Sequence, residues 1–206
     1  MMFKALVFIF CVFIGGNYAA KAIKARAYVF RASENWPSGP QESVGVVDFN
    51  QNGDTILVNG TIFGLTPGKH GFHVHQFADL SNNCLNAGGH FNPHGKQHGA
   101  PTDDDRHVGD LGNIEASGVP ATTFQMADKI IALSGENNII GRAIVIHQGE
   151  DDLGRGNQPD SKTTGHAGAR YACGVIGIQE ESDSSATMPS FALILFLPFI
   201  NYLRQY

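Results

Sequence analysis

Val44-Gly45-Val46-Val47-Asp48-Phe49, then Asn50-Gln51-Asn52-Gly53, then Thr55-Ile56-Leu57-Val58-Asn59-Gly60-Thr61-Ile62-Phe63 is the stretch that decides the fold class. Two short runs rich in β-branched and aromatic residues flank a strong turn signal. In the second run Ile56, Val58 and Ile62 alternate inward and Asn59 points outward. Upstream, Ala27-Tyr28-Val29-Phe30 is set off by Pro37-Ser38-Gly39-Pro40. Downstream, Gly71 to Phe77, Ala121 to Met126, Lys129 to Ser134, Ala143 to His147 and Ala172 to Ile178 repeat the pattern. About eight short strands, Gly-rich turns and no convincing helix predict an all-β sandwich or barrel. Ala78 to Asn113 and Gln148 to Arg170 lack strand pattern, and structureless segments of that length are functional or pinned by disulfides or metals.

Composition narrows the function. The 206 residues carry 14 Lys+Arg against 19 Asp+Glu, which excludes the basic stripe of a general nucleic-acid binder. With 42% hydrophobic and only 16% charged residues the chain is neither a disordered acidic tail nor a coiled coil. Its longest apolar runs lie at the ends. Lys4 precedes the run Ala5 to Ile14, Gly15-Gly16 breaks it, and Ala19, Ala20 and Ala22 follow, so residues 1–20 read as a secretory signal peptide. The acidic and small residues of 180–190 form a linker to a second apolar run, Phe191 to Ile200. Residues 191–206 are too short to span a bilayer and fit a cleaved anchor-attachment (GPI) signal. A short stop-transfer helix and a soluble secreted form are the alternatives. Losing both ends removes two basic residues and no acidic ones, so the remainder is more acidic than the whole.

With Cys11 in the signal, Cys84 and Cys173 remain, an even count in an oxidising compartment. That favours one bridge over two unrelated buried thiols. Closing a loop of about 90 residues would contribute on the order of 4–5 kcal/mol on the chain-entropy model. Seven of the nine histidines lie within residues 70–107. His73 and His75 share a strand face and form a natural metal clamp. His90, His98, His107 and Asp110 supply three imidazoles and a carboxylate, which suits a closed tetrahedral zinc site. His147, ending a strand, and Arg170, three residues from Cys173, are ordinary by spacing alone. Asn59-Gly60-Thr61 is an N-glycosylation sequon.

Five segments together resemble the copper/zinc superoxide dismutase family over residues 23–179: Gly71-Phe72-His73-Val74-His75, Gly88-Gly89-His90-Phe91-Asn92-Pro93, Arg106-His107-Val108-Gly109-Asp110-Leu111-Gly112-Asn113, Ile139-Ile140-Gly141-Arg142 and Ala172-Cys173-Gly174-Val175-Ile176-Gly177. The resemblance implies an eight-stranded Greek-key β-barrel or sandwich with two long functional loops. It implies copper on His73, His75, His90 and His147, and zinc on His90, His98, His107 and Asp110, with His90 an imidazolate bridging both. Asp151 matches a carboxylate linking ligands of the two sites, and Cys84–Cys173 matches the family's intrasubunit disulfide. Arg170 matches the arginine that attracts the substrate anion, with Thr164 across the channel, and His90 would also donate a proton. The implied activity is that of a secreted superoxide dismutase, converting superoxide to oxygen and hydrogen peroxide by alternate reduction and oxidation of copper. The implied assembly is a homodimer, with membrane attachment only through the C-terminal tail.

The departures are few. Thr163 stands where the family has a channel-rim lysine, with Lys162 one residue earlier, and Pro159-Asp160 replaces an acidic pair. Arg155 and Lys162 are further candidate steering charges, Ala78 replaces a glycine of the dimer contact, and His94 and His166 read as solvated loop residues. A copper-delivery module or an adhesive sandwich on the same fold would not need all six ligand histidines, Asp110 and Arg170 together.

Overall fold

The computed structural model describes residues 22–39 and 41–182. The expected signal peptide (1–20) and apolar tail (191–206) lie outside the described residues. The strands are β1 (Ala22–Arg31), β2 (Ser43–Asn52), β3 (Thr55–Phe63), β4 (Gly68–His75), β5 (Asp110–Ala116), β6 (Ala121–Asp128), β7 (Ala143–His147), β8 (Arg170–Val175) and β9 (Gly177–Ser182). Every strand pairing is antiparallel, in the order β5-β4-β7-β8-β1-β2-β3-β6, with β9 pairing β1. The chain passes from β3 to β4 and from β6 to β7 without pairing them, so each crossing moves between halves of a Greek-key arrangement. The terminal strands β5 and β6 face one another across a cavity lined by Leu111, Ile114, Phe124 and Met126, which leaves the barrel nearly closed.

The β2–β3 pair forms as its sequence predicts: Asn52 pairs Thr55 across Gly53, whose φ of 60° a residue without Cβ adopts freely. Val47 and Phe49 of β2 and Ile56, Val58 and Ile62 of β3 are buried. A register shift between Val29 and Phe30 leaves Val44 without a β1 partner, so it too can point inward, three residues before Val47. Each such side chain contributes about 1.5–3 kcal/mol on burial. The short β7 is buried on both faces. Ile144 and Ile146 join the main core, while Ala143 and Val145 join a second cluster with Leu80, Cys84, Ala87 and Cys173. Cys84 and Cys173 are disulfide-bonded, tying the long loop after β4 to β8.

Four expectations need correcting. Residues 129–134 form no strand, because the Asp128 carboxylate accepts the backbone N–H groups of Ile130 and Ile131 and turns the chain out of the ladder. Ile131, Leu133 and Ile139 then join the core from this loop. The run Ala172 to Ile178 is two strands, because Ile176 bonds to Gly141 and Arg142 and leaves the β1 ladder. The segment Ala78 to Asn113 is not strandless, since β5 begins at Asp110; Gly112 and Asn113 mask it in sequence. β4 ends at His75, before the expected Phe77, because the N–H groups of Gln76 and Phe77 turn to Gly89 and Ala87. In addition, a one-turn helix, α1 (Ser161–Thr164), sits in the second long loop, and β9 runs three residues into the acidic segment after Ile178 and Gln179.

Candidate metal centre

Strand β4 presents His73 and His75 on one face while Phe72 and Val74 enter the core. Its antiparallel neighbour β7 ends beside them with His147. His90 arrives on the chain running back along β4, where Phe91 N–H donates to Val74 O at 2.8 Å and Gln76 N–H donates to Gly89 O at 3.0 Å. This packing requires Gly109, since a Cβ there would lie 2.1 Å from Val74 O. The His73 ring centroid lies 4.1 Å from that of His90 and 5.0 Å from that of His147.

The hydrogen bonds fix the tautomers. A carbonyl oxygen only accepts, so His75 Nδ1, 2.8 Å from Gly88 O, and His147 Nδ1, 3.0 Å from Gly168 O, carry their protons. His73 Nε2 donates to Asp151 Oδ2 at 2.8 Å and His98 Nε2 to Asp151 Oδ1 at 2.7 Å. The opposite nitrogens, His73 Nδ1, His75 Nε2, His98 Nδ1 and His147 Nε2, together with His90 Nε2, are buried without any hydrogen-bond partner among the described residues. Buried nitrogens with free lone pairs are costly unless something accepts them. They fall into two sets, His73/His75/His90/His147 and His90/His98/His107/Asp110, each with ligand atoms within 4.8 Å of one another, and His90 belongs to both.

In the second set Asp110 Oδ1 lies 2.7 Å from His90 Nδ1, 3.0 Å from His98 Nδ1 and 3.1 Å from His107 Nδ1. A tetrahedral zinc with bonds of about 2.0 Å separates its ligand atoms by about 3.3 Å. His98 Nδ1 lies close to the carboxylate without the geometry of a hydrogen bond to it. Asp110 Oδ2 is held by the N–H groups of Gly99 and His107. Both sets therefore fit a cation, and in the second the His90 and His107 Nδ1 atoms lie within hydrogen-bond reach of Asp110 Oδ1.

Asp151 joins the sets by binding a ring from each, and its own backbone is clamped twice by Asn113, at 2.8 and 2.9 Å. Gly165 closes over this link, where a Cβ would sit 2.0 Å from Asp151 Oδ1 on a backbone with φ of 67°. Burial pushes the imidazolium forms of His73 and His75 well down and lowers His147 to about 4. For His98 burial acts downward, but its contacts with Asp110 and Asp151 prevail and raise it to about 9. Burial would raise Asp110, yet His107, His90 and His98 hold it far below the usual carboxylate range.

Arg170 is half-buried at the start of β8, and its guanidinium donates to the carbonyls of Cys84 and Gly88. Gly88 O thus orients both His75 and Arg170, and the disulfide fixes the loop that carries it. Burial lowers the Arg170 pKa, but an arginine remains cationic. Thr164 binds Asp160 on α1, and Thr163 Oγ1 donates to Asp160 O. Arg155 is not a free steering charge, because Asp103 pairs with it at 2.8 Å. His94 and His166 are exposed, yet each has a partner, Asn137 for His94 and Asp160 for His166. Sequence reasoning gave no role to Asn113, although it lies in a quoted motif, nor to His70, whose Nδ1 lies 2.9 Å from His147 O. Carbonyl acceptors such as Gly88 O leave no trace in side-chain identity.

A model of the copper/zinc superoxide dismutase family matches residues 43–176. The extracellular Cu-Zn superoxide dismutase of Haemonchus contortus is 55% identical over 160 residues, 78% of this chain and 86% of the relative. That of Caenorhabditis elegans is 50% identical over 172 residues, 84% of this chain and 77% of the relative. Superoxide dismutase [Cu-Zn] 5 of Dictyostelium discoideum is 54% identical over 138 residues, 66% of this chain and 91% of the relative.

Proposed function

The chain belongs to the copper/zinc superoxide dismutase family, and from that premise we propose that copper is held by His73, His75, His90 and His147 and zinc by His90, His98, His107 and Asp110. The reaction is dismutation of superoxide to oxygen and hydrogen peroxide. Copper bound there would supply the one-electron oxidation and reduction, and zinc a fixed positive charge. The observation that carries the division is the pair of converging ligand sets sharing His90, with five buried ring nitrogens lacking any partner among the described residues.

The chain's own residues do the rest. Gly88 O, Gly168 O and Asp151 keep His75, His147 and His73 in the tautomers that direct the free lone pair inward. His90 Nδ1, 2.7 Å from Asp110 Oδ1, belongs to the zinc set, which leaves Nε2 as the atom that can take up a proton and hand it to the departing product. Arg170 attracts the anionic substrate, a local task because the chain is net negative. Asp110→Ala should lose zinc while retaining copper, and His147→Ala should lose copper and activity while retaining zinc. Loss of the same metal from both would overturn the division.

The relatives named extracellular support a secreted enzyme, for which residues 1–20 would be the signal peptide. Among the described residues Asn59 has no side-chain hydrogen-bond partner, and it lines an open outer surface with Asp48, Thr61 and Gln125, which supports a glycan there. Exposed Tyr28, Val175 and Ile178 on adjoining strands, with exposed Phe77 beside Ala78, support a homodimer. The composition of residues 182–206 supports cleavage and lipid anchoring at the cell surface. Release of activity from intact cells by a phosphatidylinositol-specific phospholipase tests the anchor. Retained activity, with Phe191 to Tyr206 still present by mass, would refute it.

A further inference from the structure

The β1–β2 loop is bonded to itself. Arg31 N–H donates to Glu42 O at 2.9 Å across its base, Gly39 N–H donates to Asn35 O at 2.8 Å, and the Gln41 amide donates to Pro37 O at 3.0 Å. A loop closed in this way can hold one side chain in a fixed place. That side chain is Trp36, half-buried against the second core cluster, in which Cys84 and Cys173 both lie. Its ring centroid is 5.4 Å from that of Phe30, and Phe30 stands opposite Cys173 in the β1–β8 pairing. The loop is tied down on both sides of the disulfide. Ala32 N–H donates to Tyr171 O at 3.0 Å, on the Cys173 side, and Asn83 N–H donates to Ser33 O at 3.1 Å, on the Cys84 side. The turn it holds is strained: Asn82, Asn83 and Cys84 have φ of 52°, 55° and 64°, three left-handed residues in a row. The carbonyls of Cys84 and Gly88 that follow are those that receive the Arg170 guanidinium.

We propose that the β1–β2 loop is a lock on the disulfide: Trp36 closes the way to the two sulfurs, and Ser33 O holds the left-handed turn that aims the Cys84 carbonyl at Arg170. The lock is the same whichever metal each site holds, and it stands apart from the dismutase reading. Cys84 is fully buried and Cys173 only 2% exposed, so a reductant must lift the loop before it reaches either sulfur. Reduction by a small dithiol proceeds in two exchanges. A thiolate of the reagent attacks one sulfur, a new S–S bond forms as the Cys84–Cys173 bond breaks, and one cysteine leaves as a thiolate. The reagent's second thiolate then displaces the other cysteine, and each released thiolate takes a proton from water. The protein gains two electrons, and the dithiol becomes a cyclic disulfide.

The test is the rate at which dithiothreitol reduces the bond in the metal-loaded protein without denaturant, followed by alkylation of the freed thiols. Trp36→Ala removes the aromatic pair with Phe30 and the apolar cover, and should speed reduction by about ten-fold or more. Trp36→Phe keeps a ring at the same place and should stay within about two-fold of the wild type. Ile56→Val is the control for general loosening, since Ile56 is buried in the main core and far in sequence from the loop. It should lower the urea midpoint while leaving the reduction rate close to the wild-type value. Hydrogen exchange at the Asn83 amide reads the second half of the lock and should quicken in Trp36→Ala but not in Ile56→Val. The proposal is overturned if Trp36→Ala is reduced at the wild-type rate, if Ile56→Val speeds reduction as much as Trp36→Ala does, or if Asn83 exchanges equally in all the proteins.

Discussion

Asp151→Asn is the sharpest perturbation of the site that leaves all seven candidate ligands in place. The Asp151 side chain is fully buried, and its two oxygens accept one ring proton from each metal set, at 2.8 Å from His73 and 2.7 Å from His98. An amide of the same size keeps one acceptor and replaces the other with NH2, a donor facing a donor. Asn113 still clamps the backbone, so the loop is not released. One of the two rings then loses its orienting partner, and an imidazole held in this way typically forfeits 10–100-fold in metal affinity when freed. That corresponds to about 1.4–2.7 kcal/mol. Competition with a chromogenic chelator, read separately for zinc and copper, measures this. Wild-type affinity for both metals would refute the claim that Asp151 couples the two sets.

Arg170→Ala should keep both metals but lose on the order of ten-fold in rate, together with much of the ionic-strength dependence, as removal of a steering charge requires; an unchanged rate at low salt would contradict this. In the metal-free protein, folded His147 takes up its proton only near pH 4, against about 6.5 for an unfolded histidine. The unfolded chain therefore binds more protons as pH falls from about 6.5 to 4, and stability drops by about 3 kcal/mol from this residue alone. His98 acts oppositely: its raised value contributes stability that is full below about 6.5 and lost as pH rises towards 9. Urea midpoints of chelator-treated protein should thus peak near neutrality, and a midpoint that climbs from pH 7 to 4.5 would show the assignment to be wrong. Gly165→Ala combines a positive φ with a Cβ 2.0 Å from Asp151 Oδ1 and should destabilise the folded state by about 2 kcal/mol or more and loosen zinc; a calorimetric midpoint equal to wild type would exclude that clash.

Periodicity made most strands legible. β3 is bounded as its alternation predicts, whereas the apolar run at 129–134 misled because a single carboxylate, Asp128, takes two backbone N–H groups and diverts the chain. β5 was hidden because a strand that carries a ligand and a clamp, Asp110 and Asn113, cannot also show clean alternation. At the site, His90, His98, His107 and Asp110 could be grouped by spacing because they lie on one segment. His147 could not, since its partnership with His73 is made by strand pairing across more than seventy residues. The orienting carbonyls of Gly88 and Gly168 belong to the backbone and become visible only once the chain is folded.

Metal content and activity measured on the same purified sample test the central claim most directly. One copper and one zinc per chain, with superoxide dismutation that vanishes on selective removal of copper and returns on its restoration, is the expected result. A protein that takes up only one metal per chain, or that binds both and does not dismutate superoxide, would contradict it.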